Sequence, residues 1–228
     1  MRPLLAAVAV LALAGPAAQA DETETVTRTV ALNSGGTLDL KTFSGRVIIT
    51  PTDTNEVTVN AVRHGLRRQL DRVRLDVTTS GSTVYVDANR HDHSWWGDNV
   101  VDTELDIRVP RRTNLHITSF SAPVEVDGVD AADVQAHTFS GTVDLRFDRW
   151  QPHQRIDIKT FSGRVTLRVP EHAGAHVDFN SFSGRLDSDV PLVLHSTSRR
   201  SVSAELGAGA ADGSLRVHTF SGSVKIQR

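Results

Sequence analysis

The sequence predicts an all-β protein whose body is a parallel β-solenoid, single-stranded and β-helix-like, with a less regular N-terminal β region. Three observations carry that expectation. One phrase occurs six times, as KTFSGRV (Lys41 to Val47), TSFSAPV (Thr118 to Val124), HTFSGTV (His137 to Val143), KTFSGRV (Lys159 to Val165), NSFSGRL (Asn180 to Leu186) and HTFSGSV (His218 to Val224). Its phenylalanines lie at 43, 120, 139, 161, 182 and 220; gaps of 19, 22 and 21 point to a unit of about 20 residues, with 38 and 77 read as two and four units. Apolar and polar residues alternate on both sides of each phrase, as in Ile156 and Ile158 before it and Val165 and Leu167 after it. That period marks half-buried strands around a Ser-Gly corner.

The elements follow in chain order. Residues 1–20, MRPLLAAVAVLALAGPAAQA, join Arg2, an apolar run, a Gly15-Pro16 break and an Ala18-Gln19-Ala20 pattern, which reads as a secretory signal peptide. The run is too short to span a bilayer, where about 20 apolar residues are needed. Residues 21–228 are expected to form one domain, most regular over 104–228, exported to the periplasm, the cell surface or the medium. The first strand, corner and strand lie around Phe43. His64 to Arg72 permits a short helix through Leu66 and Leu70, four apart. Residues 73–87 read as a hairpin or bulged coil, and Asn89 to Asn99 as a loop. From Glu104 onward strands and corners alternate. A propeller blade needs about 40 residues, so a parallel coil stacked at about 4.8 Å is the better fit. Ten such coils would make a rod about 50 Å long. Glycine is expected in the corners for its freedom at positive φ. The Ala122-Pro123 corner should be distorted, because proline cannot donate to the ladder.

Composition excludes several functions. With no cysteine there is no disulfide framework, thiolate metal site or thiol nucleophile. A formal net charge of −2, with the Arg-Arg pairs scattered among acids, argues against nucleic acid as a partner. No second segment could span a membrane.

The corner pattern resembles the bacterial domain-of-unknown-function family of "putative adhesins", whose members carry repeated Ser-Gly-Asp corners between short strands. ELDIRVPRRTNLHITSFSAPVEVDGV (Glu104 to Val129) is similar to that family's strand, Val-Pro turn, strand and first corner. SDVPLVLHSTSRRSVSAELGAGAADGSLRVHTFSGSVKI (Ser188 to Ile226) is similar to its ending, and the resemblance covers roughly Thr37 to Arg228. It implies a β-solenoid and no catalytic residues. Two departures stand out. The usually acidic residue after Ser-Gly is Arg46, Thr142, Arg164, Arg185 or Ser223, so a cation-binding ladder of acids is missing. The residue before Ser is phenylalanine every time.

Two groups are candidate binding residues. Alternation puts Thr42, Ser119, Thr138, Thr160, Ser181 and Thr219 in the inward phase, so Phe43, Phe120, Phe139, Phe161, Phe182 and Phe220 should point outward and stack into an aromatic ladder. The ladder either shields the corner backbone or docks a partner, a glycan or a second copy. Trp95 and Trp96, in HDHSWWGD, either cover the solenoid side or stack on a sugar or a partner. His91, Asp92 and His93 make a weak metal motif, and His172 with His176 lacks the helix that i, i+4 zinc spacing requires. No metal or cofactor is expected. No Gly-x-Ser-x-Gly elbow occurs, and six equivalent serines suit hydrogen bonds to turn backbone better than six nucleophiles.

The expected function is non-catalytic: an adhesin-like interaction protein that presents a rigid surface to an unidentified protein or glycan of the cell envelope. Two alternatives remain. One is a polysaccharide-active β-helix enzyme, which needs a cluster of acids with a basic residue on one face. The other is a self-assembling structural protein whose C-terminal solenoid edge, Ser223 to Ile226, pairs with another copy.

Overall fold

Every occurrence of the phrase ends one strand and begins another. The computed structural model describes residues 21–91, 101–207 and 212–228; the expected signal peptide lies outside them, as does most of the Asn89 to Asn99 segment. The chain opens with β1 (Asp21–Ala31), then β2 (Thr37–Thr42) and β3 (Gly45–Thr52) around the first corner. An excursion follows through β4 (Glu56–Leu66), the helix α1 (Arg67–Arg72), β5 (Val73–Ser80), β6 (Thr83–His91) and β7 (Asp102–Pro110). Three corners come next: β8 (Asn114–Ser119) to β9 (Val124–Asp127), β10 (Asp133–Thr138) to β11 (Val143–Arg146), and β12 (Arg155–Thr160) to β13 (Arg164–Arg168). The fifth joins β14 (Ala175–Ser181) to β15 (Arg185–Ser188). A hairpin of β16 (Leu192–Thr197) and β17 (Ser201–Leu206) precedes the last corner, β18 (Gly213–Thr219) to β19 (Ser223–Gln227).

The strands form two large mixed sheets. One runs β1-β4-β7-β3-β9-β11-β13-β19-β15 and the other β16-β17-β14-β18-β12-β10-β8-β2-β6-β5. Each corner carries the chain from the second sheet to the first. The strands at the corners pair in parallel and in register, Ile156 with Leu215 and Val165 with Val224, for example. Antiparallel strands β1, β4, β5, β16 and β17 complete the sheets toward their ends. Inward residues of both sheets, among them Leu40, Ile49, Leu115, Leu145, Ile158 and Leu167, merge into one continuous buried cluster. A strand with one buried face must alternate, so the period legible in the sequence and the burial are one fact.

Two expectations about the order of coils are corrected. The gap of 77 residues holds no further phenylalanine corner: Phe43 and Phe120 are direct neighbours, and β4 to β7 form an excursion in which β6 lies parallel beside β2 in one sheet and β7 parallel beside β3 in the other. The last corner is not an edge either, because β18 lies between β12 and β14, and β19 between β13 and β15. The hairpin explains the insertion. Strand β17 pairs antiparallel with the outer side of β14, so the returning chain finds its partner on the inner side. Ser223 to Ile226 is therefore paired on both sides and offers no edge to another copy. At that end the outermost strands are β15 and β16.

Corner glycines are required by close approach. Among those of the phrases only Gly45 has positive φ, at 96°. A Cβ on Gly141, Gly163, Gly222 or Gly184 would lie 2.1–2.4 Å from the carbonyl oxygen of the neighbouring corner. Ala122 escapes this, and its corner keeps the ladder bonds of the others, with Phe120 and Ser121 donating N–H to the Thr42 and Phe43 carbonyls at 3.2 and 2.8 Å. Its inward hydroxyl differs: Ser119 donates to the Ala122 carbonyl at 2.9 Å, where Ser181 and Thr219 accept the N–H of the corner glycine.

The N-terminal region matches its reading in outline. Helix α1 buries Leu70 against Val73 and Val101, and the Gln69 side chain accepts the Leu66 N–H at 2.9 Å. Strands β5 and β6 are a hairpin with an irregular register between Arg74 and Asp76. Arg63 of β4 is buried; its guanidinium donates to the Leu70 and Val73 carbonyls and to the Glu24 carboxylate. Arg63→Met strands those carbonyls and should cost about 2 kcal/mol. Urea unfolding checks this; an unchanged midpoint would mean that water replaces the guanidinium. Arg111 donates to Asp53 at 2.7 Å between two turns, and that hydrogen bond holds the Asp53 carboxyl below its ordinary range.

Candidate functional site

The corner builds an aromatic ladder from strand phase alone. The residue before each phenylalanine is buried, so the next one points out, and the six rings are 39–53 % exposed. Parallel, in-register strands bring them face to face. Phe43 stacks on Phe120 at 4.6 Å between centroids; Phe139, Phe161, Phe220 and Phe182 follow at 4.9 Å each, with every successive pair within 5° of parallel. Phe220 precedes Phe182 because the last corner is inserted. Beyond Phe182 the ladder ends on a cation: the Arg200 guanidinium carbon lies 4.5 Å from the ring centroid. It is anchored there by the Ser181 N–H, which donates to the Arg200 carbonyl at 2.8 Å.

Backbone bonds make this corner stiff. The N–H groups of Ser140, Ser162, Ser221 and Ser183 donate to the phenylalanine carbonyl of the adjoining coil at 2.9–3.0 Å. The serine hydroxyls do less than expected. Ser121 donates to the Phe43 carbonyl at 3.1 Å, and Ser44 and Ser183 make bonds of 3.5 Å. The hydroxyls that bond to the turns belong to the buried row at four corners, those of Thr42, Ser119, Ser181 and Thr219, the last accepting the Gly222 N–H at 2.7 Å, while those of Thr138 and Thr160 have no partner among the described residues.

Two rows of side chains flank the rings. On one sheet, pairing aligns Lys41, Thr118, His137, Lys159, His218 and Asn180. On the other, Arg164, Ser223 and Arg185 are aligned, and Arg46 and Thr142 hold the same offset from their phenylalanines. Neither row contains an acid. Acids begin one step farther out, where Glu125 meets Arg46 at 2.8 Å and Asp157 meets Lys159 at 3.9 Å. A groove of about 840 Å³ runs on the Lys159 side of the rings and another of about 870 Å³ on the Arg164 side. The rings form the ridge between them.

Other candidates are not assembled by the fold. Trp95 and Trp96 lie outside the described residues, as do Asp92 and His93 and the side chain of His91. His176 sits on β14, so His172 and His176 share no helical face. Among the described residues no group of three or more His, Cys, Asp or Glu could hold a metal, and no helix is long and apolar enough to cross a membrane. The row two residues before each phenylalanine and the Arg200 cap escaped sequence reading, and the row three residues after it was read only as lacking an acidic ladder. The first row was legible by counting back from each phenylalanine; Arg200 needed the turn between β16 and β17 to be placed.

The model of the family described as Toastrack DUF4097 matches residues 111–227, just over half of the chain. Among solved structures, a "putative cell adhesion protein" from Clostridium sporogenes is similar over 90 % of this chain and 99 % of its own, with a TM-score of 0.63 at 10 % identity. That likeness is one of fold. A "putative adhesin" from Bacteroides fragilis aligns over 89 % of this chain and 97 % of its own, with a TM-score of 0.34 at 9 % identity. No curated protein matches.

Proposed function

The chain belongs to the Toastrack DUF4097 family, and from that premise we propose that it is a non-catalytic, exported, adhesin-like protein whose phenylalanine corner docks a partner in the cell envelope. We read the block of parallel corner strands as a β-solenoid body with its last coil inserted, a rigid support for that surface. One observation carries the reading: six half-exposed rings form a single continuous stripe on a stiff backbone. Contiguous exposed apolar surface of this kind is characteristic of interaction sites.

The ring stacking also decides how a partner is met. Sugars and bases pack on aromatic faces, and here each interior face is covered by the next ring. A partner therefore meets ring edges, which carry the positive end of the quadrupole.

The test is capture from envelope extracts with residues 21–228. Phe161→Ala with Phe182→Ala should lower capture at least tenfold. A lower melting temperature with unchanged capture would make the ladder purely structural. Trp95→Ala with Trp96→Ala should leave most capture intact; loss only in that pair would move the function to the loop.

Self-assembly is a second reading, now through the opposite strand of the end. Val193 and Leu194 on the outermost strand β16 are 57 % and 59 % exposed, an apolar edge of the sort that pairs between copies. Light scattering should then show a concentration-dependent dimer that Val193→Lys abolishes. A monomer at every concentration removes this reading.

A further inference from the structure

We infer that the partner of the corner is a linear anionic polysaccharide, lying in the groove on the arginine side of the phenylalanine ridge. The inference rests on the corner being the interaction surface and adds the chemistry of what it holds.

Charge is the first argument. The chain is formally −2, yet the two rows beside the rings hold Lys41, Lys159, Arg46, Arg164 and Arg185 and no acid, and Arg200 stands at the end of the ridge. Arg164 and Arg185 sit on either side of Ser223, two strand spacings or about 10 Å apart. Neither has a carboxylate partner among the described residues, whereas nearby Arg46 and Arg168 are paired with Glu125 and Asp144. A guanidinium fork left unpaired in this way fits a carboxylate, sulfate or phosphate bidentately.

Shape and hydrogen bonding choose among polyanions. The groove is about 870 Å³; Ser140, Ser162, Ser183 and Ser221 line it between the arginines and the ridge, a surface suited to a polyhydroxylated chain, and its one carboxylate, Asp187, lies one step beyond Arg185, aligned with Lys225. An acidic peptide fits poorly. Its side chains on one face repeat at about 6.6 Å and would lose step with coils about 4.9 Å apart, and the corner has no free backbone edge for strand addition. Single-stranded nucleic acid binds by stacking bases on ring faces, which the neighbouring rings occupy. A flat anionic bilayer would touch the ridge and leave the groove behind it empty.

The experiment measures binding of residues 21–228 to polygalacturonate, with neutral dextran, polyglutamate and phosphatidylglycerol vesicles in parallel. Polygalacturonate should bind, and binding should fall at least tenfold between 50 and 300 mM salt, since exposed charge attraction is screened over that range. Arg164→Ala with Arg185→Ala should lose at least tenfold with an unchanged circular dichroism spectrum, and the paired lysine variants should recover part of it. Arg111→Ala, at a distant turn, should bind as wild type. The inference is overturned if dextran binds equally, if polyglutamate or vesicles bind and polygalacturonate does not, or if the double arginine variant keeps full affinity. If envelope capture depends on Phe161 and Phe182 while polygalacturonate fails to bind, the corner remains the docking surface and the polysaccharide falls. If neither variant pair affects any binding, both readings fall.

Discussion

Gly222→Ala should lower stability by about 3 kcal/mol, in the range of severe overpacking. The methyl group would lie 2.3 Å from the Gly163 carbonyl oxygen and 2.6 Å from the Thr219 hydroxyl. Gly222 belongs to the inserted coil, so both neighbouring coils are fixed by their own ladders and cannot retreat separately. For a domain of this size the melting temperature should fall by about 10 °C. Gly81→Ala is the control: Gly81 has positive φ, at 58°, but nothing within 4 Å, so only backbone strain of about 1 kcal/mol is expected. Scanning calorimetry on the two variants separates contact from conformation. Equal losses would contradict close approach as the reason for corner glycine.

Ile158→Ala should cost about 4 kcal/mol. Ile158 is wholly buried on β12, aligned with Ala136 on one side and Val217 on the other. Both neighbours are small and held by parallel ladders, so the cavity cannot be refilled by a sliding strand. Urea unfolding should show the midpoint falling with little change in slope. A loss below about 1.5 kcal/mol would mean that the sheets close on the void.

Alternation made the strands legible because it is the burial pattern itself: Ile156 and Ile158 alternate since one face of β12 is core. The outward phase of the phenylalanines followed from the same period. Spatial order was not legible. Nothing in HTFSGSV distinguishes a terminal coil from an inserted one, since each phrase has the same corner shape and apolar phase. The insertion is decided by β17 occupying the outer side of β14, a contact between segments whose sequences say nothing about each other. The reading of 77 residues as four coils failed for a related reason. Strands β4 to β7 alternate as well as the corner strands do, but only β6 and β7 continue the parallel stacking, on β2 and β3, whereas β4 and β5 pair antiparallel beyond them. The charge of the site was legible in principle. It becomes visible only when residues are counted from each phenylalanine, and whole-chain composition hides it.

The inserted coil also bears on how the molecule is made. Strands β12 and β13 share no ladder with β14 and β15; only β18 and β19 join them. As the chain folds, each sheet stays in two unjoined parts until β18 and β19 are in place. The closing step brings together strands distant in sequence, and such steps are slow. The keystone is laid last, so a chain that stopped between β15 and β18 would leave an open molecule in which four strand edges, those of β12, β13, β14 and β15, face solvent.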